Sequence, residues 1–242
     1  IDNTFVRKES LPRMERKLLT YDATRMGKIV VGKDCMPLLP VITVENINLW
    51  DIAFNKEYPL SPLHWMLADK TGCIVLESME QGLQIYENPF GVLTNNPPFA
   101  CHQINMSNYM GLHVGPANMQ FREELPLDNY SLGMGALGLP GDFSSASRFV
   151  RAFFVKENSV SSGDEKGNVN QFFHIMNSVA MPKGCVWTKH GFEYTRYSSC
   201  CNADKGIYYY TTYNNLEITS VDMRAVDLEQ ACLYTYEVKG LE

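Results

Sequence analysis

The sequence predicts an α+β fold, because β-patterned runs come first, helical runs come next, and β-patterned runs return. That order gives antiparallel sheets with helices packed outside them rather than alternating βαβ units. Turn-bounded runs rich in β-branched and aromatic residues begin at His64 and again after Gly191, while residues 144–155 and 169–179 carry apolar residues at helical spacing. With 242 residues, 45% hydrophobic and 20% charged, the chain can bury a sizeable core, and disordered, collagen-like and coiled-coil classes are excluded.

Residues 1–44 gather Arg7, Lys8, Arg13, Arg16, Lys17, Arg25 and Lys28 on an irregular apolar pattern. Lys28-Ile29-Val30-Val31 reads as a short strand, but Pro37 and Pro40 interrupt the chain beyond it, so this segment is expected to be a poorly ordered arm. Residues 64–69 and 73–77 read as a hairpin turning at Lys70-Thr71-Gly72, and residues 84–86 and 91–94 continue it as an antiparallel meander. Phe99, His102, Gln103, Met106 and Tyr109 then have the spacing of a short helix. The helix over 144–155 is capped by Asp142 or Ser144, and a second is expected over 169–179, with 159–168 as the loop between them. Strands over 192–198, 206–213, 217–222 and 233–238 complete the pattern.

The chain has 21 Lys+Arg against 27 Asp+Glu, a net charge of −6, with no basic face interleaved with aromatics, so no nucleic-acid partner is expected. Seven cysteines at irregular spacing argue for reduced thiols, and no apolar run reaches membrane-spanning length. The opening residues do not read as a secretory leader. No membrane partner and a cytoplasmic location are therefore expected.

Gly133-Met134-Gly135-Ala136-Leu137-Gly138 matches the dinucleotide fingerprint, but no strand precedes it and Leu139-Pro140-Gly141 interrupts any helix after it. A loop needing unusual backbone angles explains these glycines better. The five histidines show no metal-ligand spacing, so no metal and no cofactor are expected. Asn95 ends an apolar run before Asn-Pro-Pro, where its carboxamide either donates into a pocket or simply forms a turn. Arg148, just before an apolar helix face, either fixes a carboxylate or thiolate or lies on the surface.

Five strings, LHW (63–65), GVLTNNPPF (91–99), GLPGDFSSASRFVR (138–151), QFFHI (171–175) and KGIYYYTTY (205–213), together resemble the choloylglycine hydrolase family, which comprises conjugated bile salt hydrolases and penicillin V acylases. The resemblance runs from about residue 45 to the end and is nearest to the bile salt hydrolases. It implies the N-terminal-nucleophile hydrolase fold, an αββα sandwich of two stacked antiparallel sheets, over residues 45–242. It also implies hydrolysis of the C–N amide bond of glycine- or taurine-conjugated bile acids by an N-terminal Cys thiolate, through an acyl-enzyme. Asn95 would then help hold the polar pocket around nucleophile and oxyanion, and Arg148 would supply positive charge there. Phe54 and Tyr58, in a loop over residues 53–60, would be apolar contacts to the steroid. Because members are commonly homotetramers, a homo-oligomer is also implied.

Residues 1–44 do not match the family pattern: Ile1 has no nucleophilic atom, and the family's opening Cys, its early Arg and Asp, and its Gly-Leu-Asn segment have no counterpart. Cys35 lies too near Asn95 in sequence to replace that Cys. The expectation is an N-terminally incomplete fold that supplies no nucleophile, so that these 242 residues alone are inactive. The alternative is a non-catalytic binding or interaction protein that retains the apolar pocket loop.

Overall fold

Alternation along each strand decides which side chains it buries. The computed structural model describes residues 20–22, 28–32, 64–69, 72–80, 82–118, 122, 124–227 and 233–240. In chain order the elements are β1 (Thr20–Asp22), β2 (Lys28–Gly32), β3 (His64–Ala68), β4 (Cys73–Met79), β5 (Gly82–Glu87), α1 (Phe99–Met106), α2 (Ser145–Glu157), α3 (Glu165–Asn177), β6 (Val186–Thr188), β7 (Gly191–Glu193), β8 (Tyr197–Asn202), β9 (Ile207–Thr212), β10 (Asn215–Asp222) and β11 (Leu233–Glu237). Every strand pair among the described residues is antiparallel, in the orders β1-β2-β11, β3-β4-β5, β10-β9-β8 and β6-β7. The expected α+β class is the observed one.

Strand β9 shows why two sheets stack. Tyr208, Tyr210 and Thr212 share one face and are buried, and Tyr208 and Tyr210 join Val221, Met223 and Val238 in a cluster that also receives Tyr234 and Tyr236 of β11. The sheet β10-β9-β8 therefore lies face to face with the sheet holding β11. The Thr212 hydroxyl donates to the Lys239 carbonyl at 2.9 Å, and the Lys239 N–H donates to the Tyr210 hydroxyl at 3.3 Å. Tyr209, on the opposite face, donates to Glu165 in the first turn of α3 at 3.0 Å. Lys205 reaches the same carboxylate at 2.5 Å, and Asn202 donates to it as well. Bonds from Lys205, Tyr209 and Asn202 together hold the Glu165 carboxyl below its ordinary range. A helix thus covers the outer face of this sheet.

A second core forms around β4, which is buried on both faces. Val75 packs with Val92, Phe99 and Phe149, whereas Ile74 and Leu76 pack with Trp65, Leu67 and Leu83. Glu77 lies on the same side as Val75, facing the helices, is 3% exposed, and accepts from the Phe99 N–H at 2.9 and 3.1 Å through its two oxygens. A buried carboxylate thus meets the positive end of α1, which Pro98 begins without a side-chain cap. Glu77→Ala would orphan that N–H and is expected to cost about 1–3 kcal/mol. Urea unfolding should show it as a lower midpoint at unchanged slope.

Several boundaries differ from the sequence expectation. Residues 91–94 are not a strand, because the Asn88 side chain takes up the local backbone groups: its Nδ2 donates to the Val92 carbonyl at 3.0 Å, and its Oδ1 accepts from the N–H groups of Phe90 and Gly91 at 3.1 and 3.0 Å. Helix α3 starts at Glu165 rather than Val169, since the Asp164 side chain caps it by accepting from the Gly167 N–H at 2.6 Å. The run 192–198 is split between β7 and β8; Thr195 turns aside, its N–H donating to the Met181 carbonyl at 2.9 Å and its hydroxyl accepting from the Met181 N–H at 2.9 Å. The short strand expected over 28–31 is observed as β2, which pairs with β1 and β11.

The Gly133–Gly138 string forms a single 3-10 turn, Met134–Ala136, in a long loop, with no strand before it and no helix directly after. Gly133 and Gly138 take φ of +79° and +96°, and a Cβ on Gly135 would stand 2.3 Å from the Gly115 carbonyl oxygen. These glycines serve turning and close approach. Among the described residues no helix is long and apolar enough to cross a membrane.

Candidate active site

The site is built where the loop before α1 meets the start of α2. In the run Asp142-Phe143-Ser144, Ser144 is the N-cap, its hydroxyl accepting from the Ser147 N–H at 3.3 Å. Asp142 supports that cap, accepting from the Ser144 N–H at 2.9 Å and from the Ser147 hydroxyl at 2.5 Å. These bonds from Ser144 and Ser147 hold the Asp142 carboxyl down to about 2. Since its pKa is depressed from 3.8, the stability it contributes is present above about pH 4 and is lost as pH falls toward 2. An acid titration of unfolding should show a shallower fall over that interval for Asp142→Asn than for the wild type.

The cap sets the helical phase, which turns Arg148 and Phe149 inward. Arg148 is 7% exposed, so it is no surface arginine. Its Nε donates to the Phe143 carbonyl at 3.2 Å, and its Nη2 donates to the Asn95 Oδ1 at 2.7 Å. Burial pushes the guanidinium below its ordinary value, and Glu193 partly opposes this, but an arginine stays charged. Among the described residues no carboxylate stands within ion-pair distance of it. The Asn95 carboxamide has its oxygen occupied, and its Nδ2 has no acceptor among the described residues.

The Asn95 backbone is held as firmly as its side chain. Its carbonyl accepts from the Ser145 hydroxyl at 2.5 Å and from His102 Nε2 at 3.0 Å. The neighbouring Thr94 hydroxyl donates to the Ser145 carbonyl at 3.1 Å and lies 3.0 Å from the Ser145 hydroxyl. The loop is thereby laced to the N-terminus of α2 across 50 positions of chain. On the other side, Arg151 reaches out from α2 to the carbonyls of Ser178, Pro140 and Asp142 at 2.6, 2.5 and 3.0 Å.

Sequence reasoning singles out Asn95 and Arg148, and the structure brings them into direct contact. Phe54 and Tyr58 lie outside the described residues, as do Cys35 and Cys232. Sequence reasoning misses His102, Thr94, Ser145 and Glu77 as site residues; it meets His102 as one of five histidines without metal spacing and as a position of the short helix that starts at Phe99. A helical His seven positions after Asn95 is the one available signal, and it is a weak one. Five free cysteines are described. Burial pushes the Cys200 thiol up to about 12 and the Cys201 thiol up to about 11, and also raises Cys73. Thiols so shifted are protonated and weakly nucleophilic at neutral pH. Among the described residues no group of three His, Cys, Asp or Glu side chains could hold a metal ion.

Residues 40–236 match the model of the linear amide C–N hydrolases, choloylglycine hydrolase family. The chain belongs to the choloylglycine hydrolase family. Among similar proteins, the bile salt hydrolase/transferase of Lactiplantibacillus plantarum is 51% identical over 198 residues, which cover 81% of this chain and 61% of that protein. The bile salt hydrolase/transferase of Clostridium perfringens is 37% identical over 196 residues, covering 80% of this chain and 60% of that one. The chain thus spans about three-fifths of the length of these relatives. A solved variant of the conjugated bile acid hydrolase from Clostridium perfringens superposes with a TM-score of 0.69 at 32% identity, covering 87% of this chain and 74% of that one. Penicillin V acylase from Agrobacterium tumefaciens shares the fold, with a TM-score of 0.55 at 19% identity over 71% of this chain and 49% of that one. The stacked antiparallel sheets and their helices are those of the N-terminal-nucleophile hydrolases, as the five sequence strings imply.

Proposed function

We propose that this site receives the C–N amide group of a glycine- or taurine-conjugated bile acid. The observation that carries the reading is the contact between the buried Arg148 and the Asn95 Oδ1 at 2.7 Å. With its oxygen held by Arg148, the carboxamide keeps its N–H free to donate, the group needed where an amide oxygen gains negative charge during attack on its carbonyl carbon. The positive charge of Arg148 beside it favours the same developing anion. Phe54 and Tyr58 are proposed as contacts to the steroid rings. The names of the family relatives support this substrate class.

In the proposed chemistry a thiolate attacks the amide carbon, and the oxygen takes up negative charge opposite the Asn95 N–H. The departing glycine or taurine nitrogen takes a proton from the α-amino group of the attacking residue, and water then hydrolyses the thioester. Cys73, Cys200 and Cys201 are held as thiols and do not fill the attacking role. We further propose, on the sequence reading that these residues carry no counterpart of the family's opening Cys, that the 242-residue chain recognises the conjugate without turning it over. Incubation with glycocholate and taurocholate should give saturable binding by calorimetry and no release of glycine or taurine. Release that persists in Asn95→Ala and Arg148→Ala would overturn the assignment of the site.

A further inference from the structure

We propose that His102 is a positioning residue: its Nε2–H holds the Asn95 carbonyl and so aims the Asn95 carboxamide N–H at the amide of the bound conjugate. This rests on the reading of Asn95 given above. His102 is 1% exposed, and its ring stacks on Phe149 with centroids 4.8 Å apart and planes 6° from parallel. A carbonyl only accepts, so the 3.0 Å contact to Asn95 places the proton on Nε2. Thr94 Oγ1, 3.5 Å away, lies at the edge of the same donor. Nδ1 is then a bare acceptor, buried and without a hydrogen-bond partner among the described residues. Burial lowers the imidazole pKa, opposed by the Asn95 carbonyl, Glu77 and the Pro97 carbonyl, and this favours the neutral ring with its proton on Nε2.

A buried acceptor without a partner is costly, and a phenylalanine would fill the same stacked place on Phe149 without it. Packing alone therefore does not account for a histidine here. What histidine adds is the single donor to Asn95, beside the Ser145 hydroxyl on the same carbonyl. The ring thus joins the loop that carries Asn95 to the helix that carries Arg148, through one hydrogen bond and one stacked face.

The test uses the full chain as wild type, His102→Phe, which keeps the stacked ring and removes the donor, and His102→Gln, which restores an N–H. Three readouts are needed: the thermal midpoint, the side-chain amide resonance of Asn95 assigned by its loss in Asn95→Ala, and calorimetric titration with glycocholate. In His102→Phe the midpoint is expected to stay within a few degrees of wild type. The Asn95 amide resonance should broaden or shift toward solvent values, and affinity should fall about fivefold or more, the scale of one lost hydrogen bond. His102→Gln should recover the resonance and most of the affinity. An unchanged Asn95 resonance in His102→Phe would overturn the proposal, as would equal losses in both variants or a wild-type ring protonated at Nδ1. If wild type does not bind glycocholate, the substrate reading fails, while the resonance still decides whether His102 holds Asn95.

Discussion

Replacing Phe149 by alanine is expected to cost about 3–5 kcal/mol, a large part of the stability of a domain this size. Phe149 is fully buried in α2, one residue after Arg148. Its ring meets Phe90 at 5.5 Å and Phe99 at 6.1 Å in edge-on geometry and carries the His102 ring stacked at 4.8 Å. Val75 and Val92 complete the cluster. Truncation removes the transfer energy of a whole ring and leaves a cavity lined by those three rings and by Val75 of β4. Urea unfolding should show a greatly lowered midpoint. Leu132→Ala, at a position 101% exposed, should stay within about 0.5 kcal/mol of wild type in the same experiment.

The second large effect is on binding rather than folding. Arg148→Met is expected to lower affinity for glycocholate by roughly a hundredfold, the scale of removing one partner from a desolvated charged contact. Methionine nearly fills the arginine stem's volume, and replacing a buried charge by an apolar group is often neutral for stability. The thermal midpoint should therefore hold while affinity collapses. Arg148→Lys keeps the charge but loses the planar fork that spans the Phe143 carbonyl and Asn95 Oδ1, so its affinity should fall between the two. Calorimetric titration of the three proteins checks that order. Equal affinity for wild type and Arg148→Met would remove Arg148 from the site.

The parts of this structure that are legible in the sequence are those set by local pattern. The Asp142/Ser144 cap before an apolar helical run reads directly, and it fixes the inward phase of Arg148. The alternation in Tyr208, Tyr210 and Thr212 reads as a half-buried strand, and the turn-bounded runs on either side of it give the antiparallel order. Where side chains replace backbone partners, the pattern misleads. Residues 91–94 look like a strand, but Asn88 satisfies that stretch from within, and α3 begins early because Asp164 caps a stretch whose Ser and Gly content reads as loop. The β6-β7 hairpin escapes a reading by pattern because its strands are three residues each.

The site divides in the same way. Asn95 and Arg148 stand out because they lie inside strings that resemble a family, and neither periodicity nor spacing shows that side chains 53 positions apart will touch. His102 and Ser145 act through the Asn95 carbonyl, a backbone atom common to every residue type, so no residue pattern marks them. Glu77 is hidden for a similar reason: a carboxylate in an apolar strand reads as an outward-facing position, yet it turns inward to meet the first N–H of α1.

The central claim is that the Asn95 carboxamide, held by Arg148, donates to the amide of a conjugated bile acid. The most direct measurement tracks the Asn95 side-chain N–H signals by NMR while glycocholate is added to the full chain. Saturable downfield movement of those signals is predicted, absent with unconjugated cholate and absent in Arg148→Met. Glycocholate binding that leaves the Asn95 signals in place would contradict it.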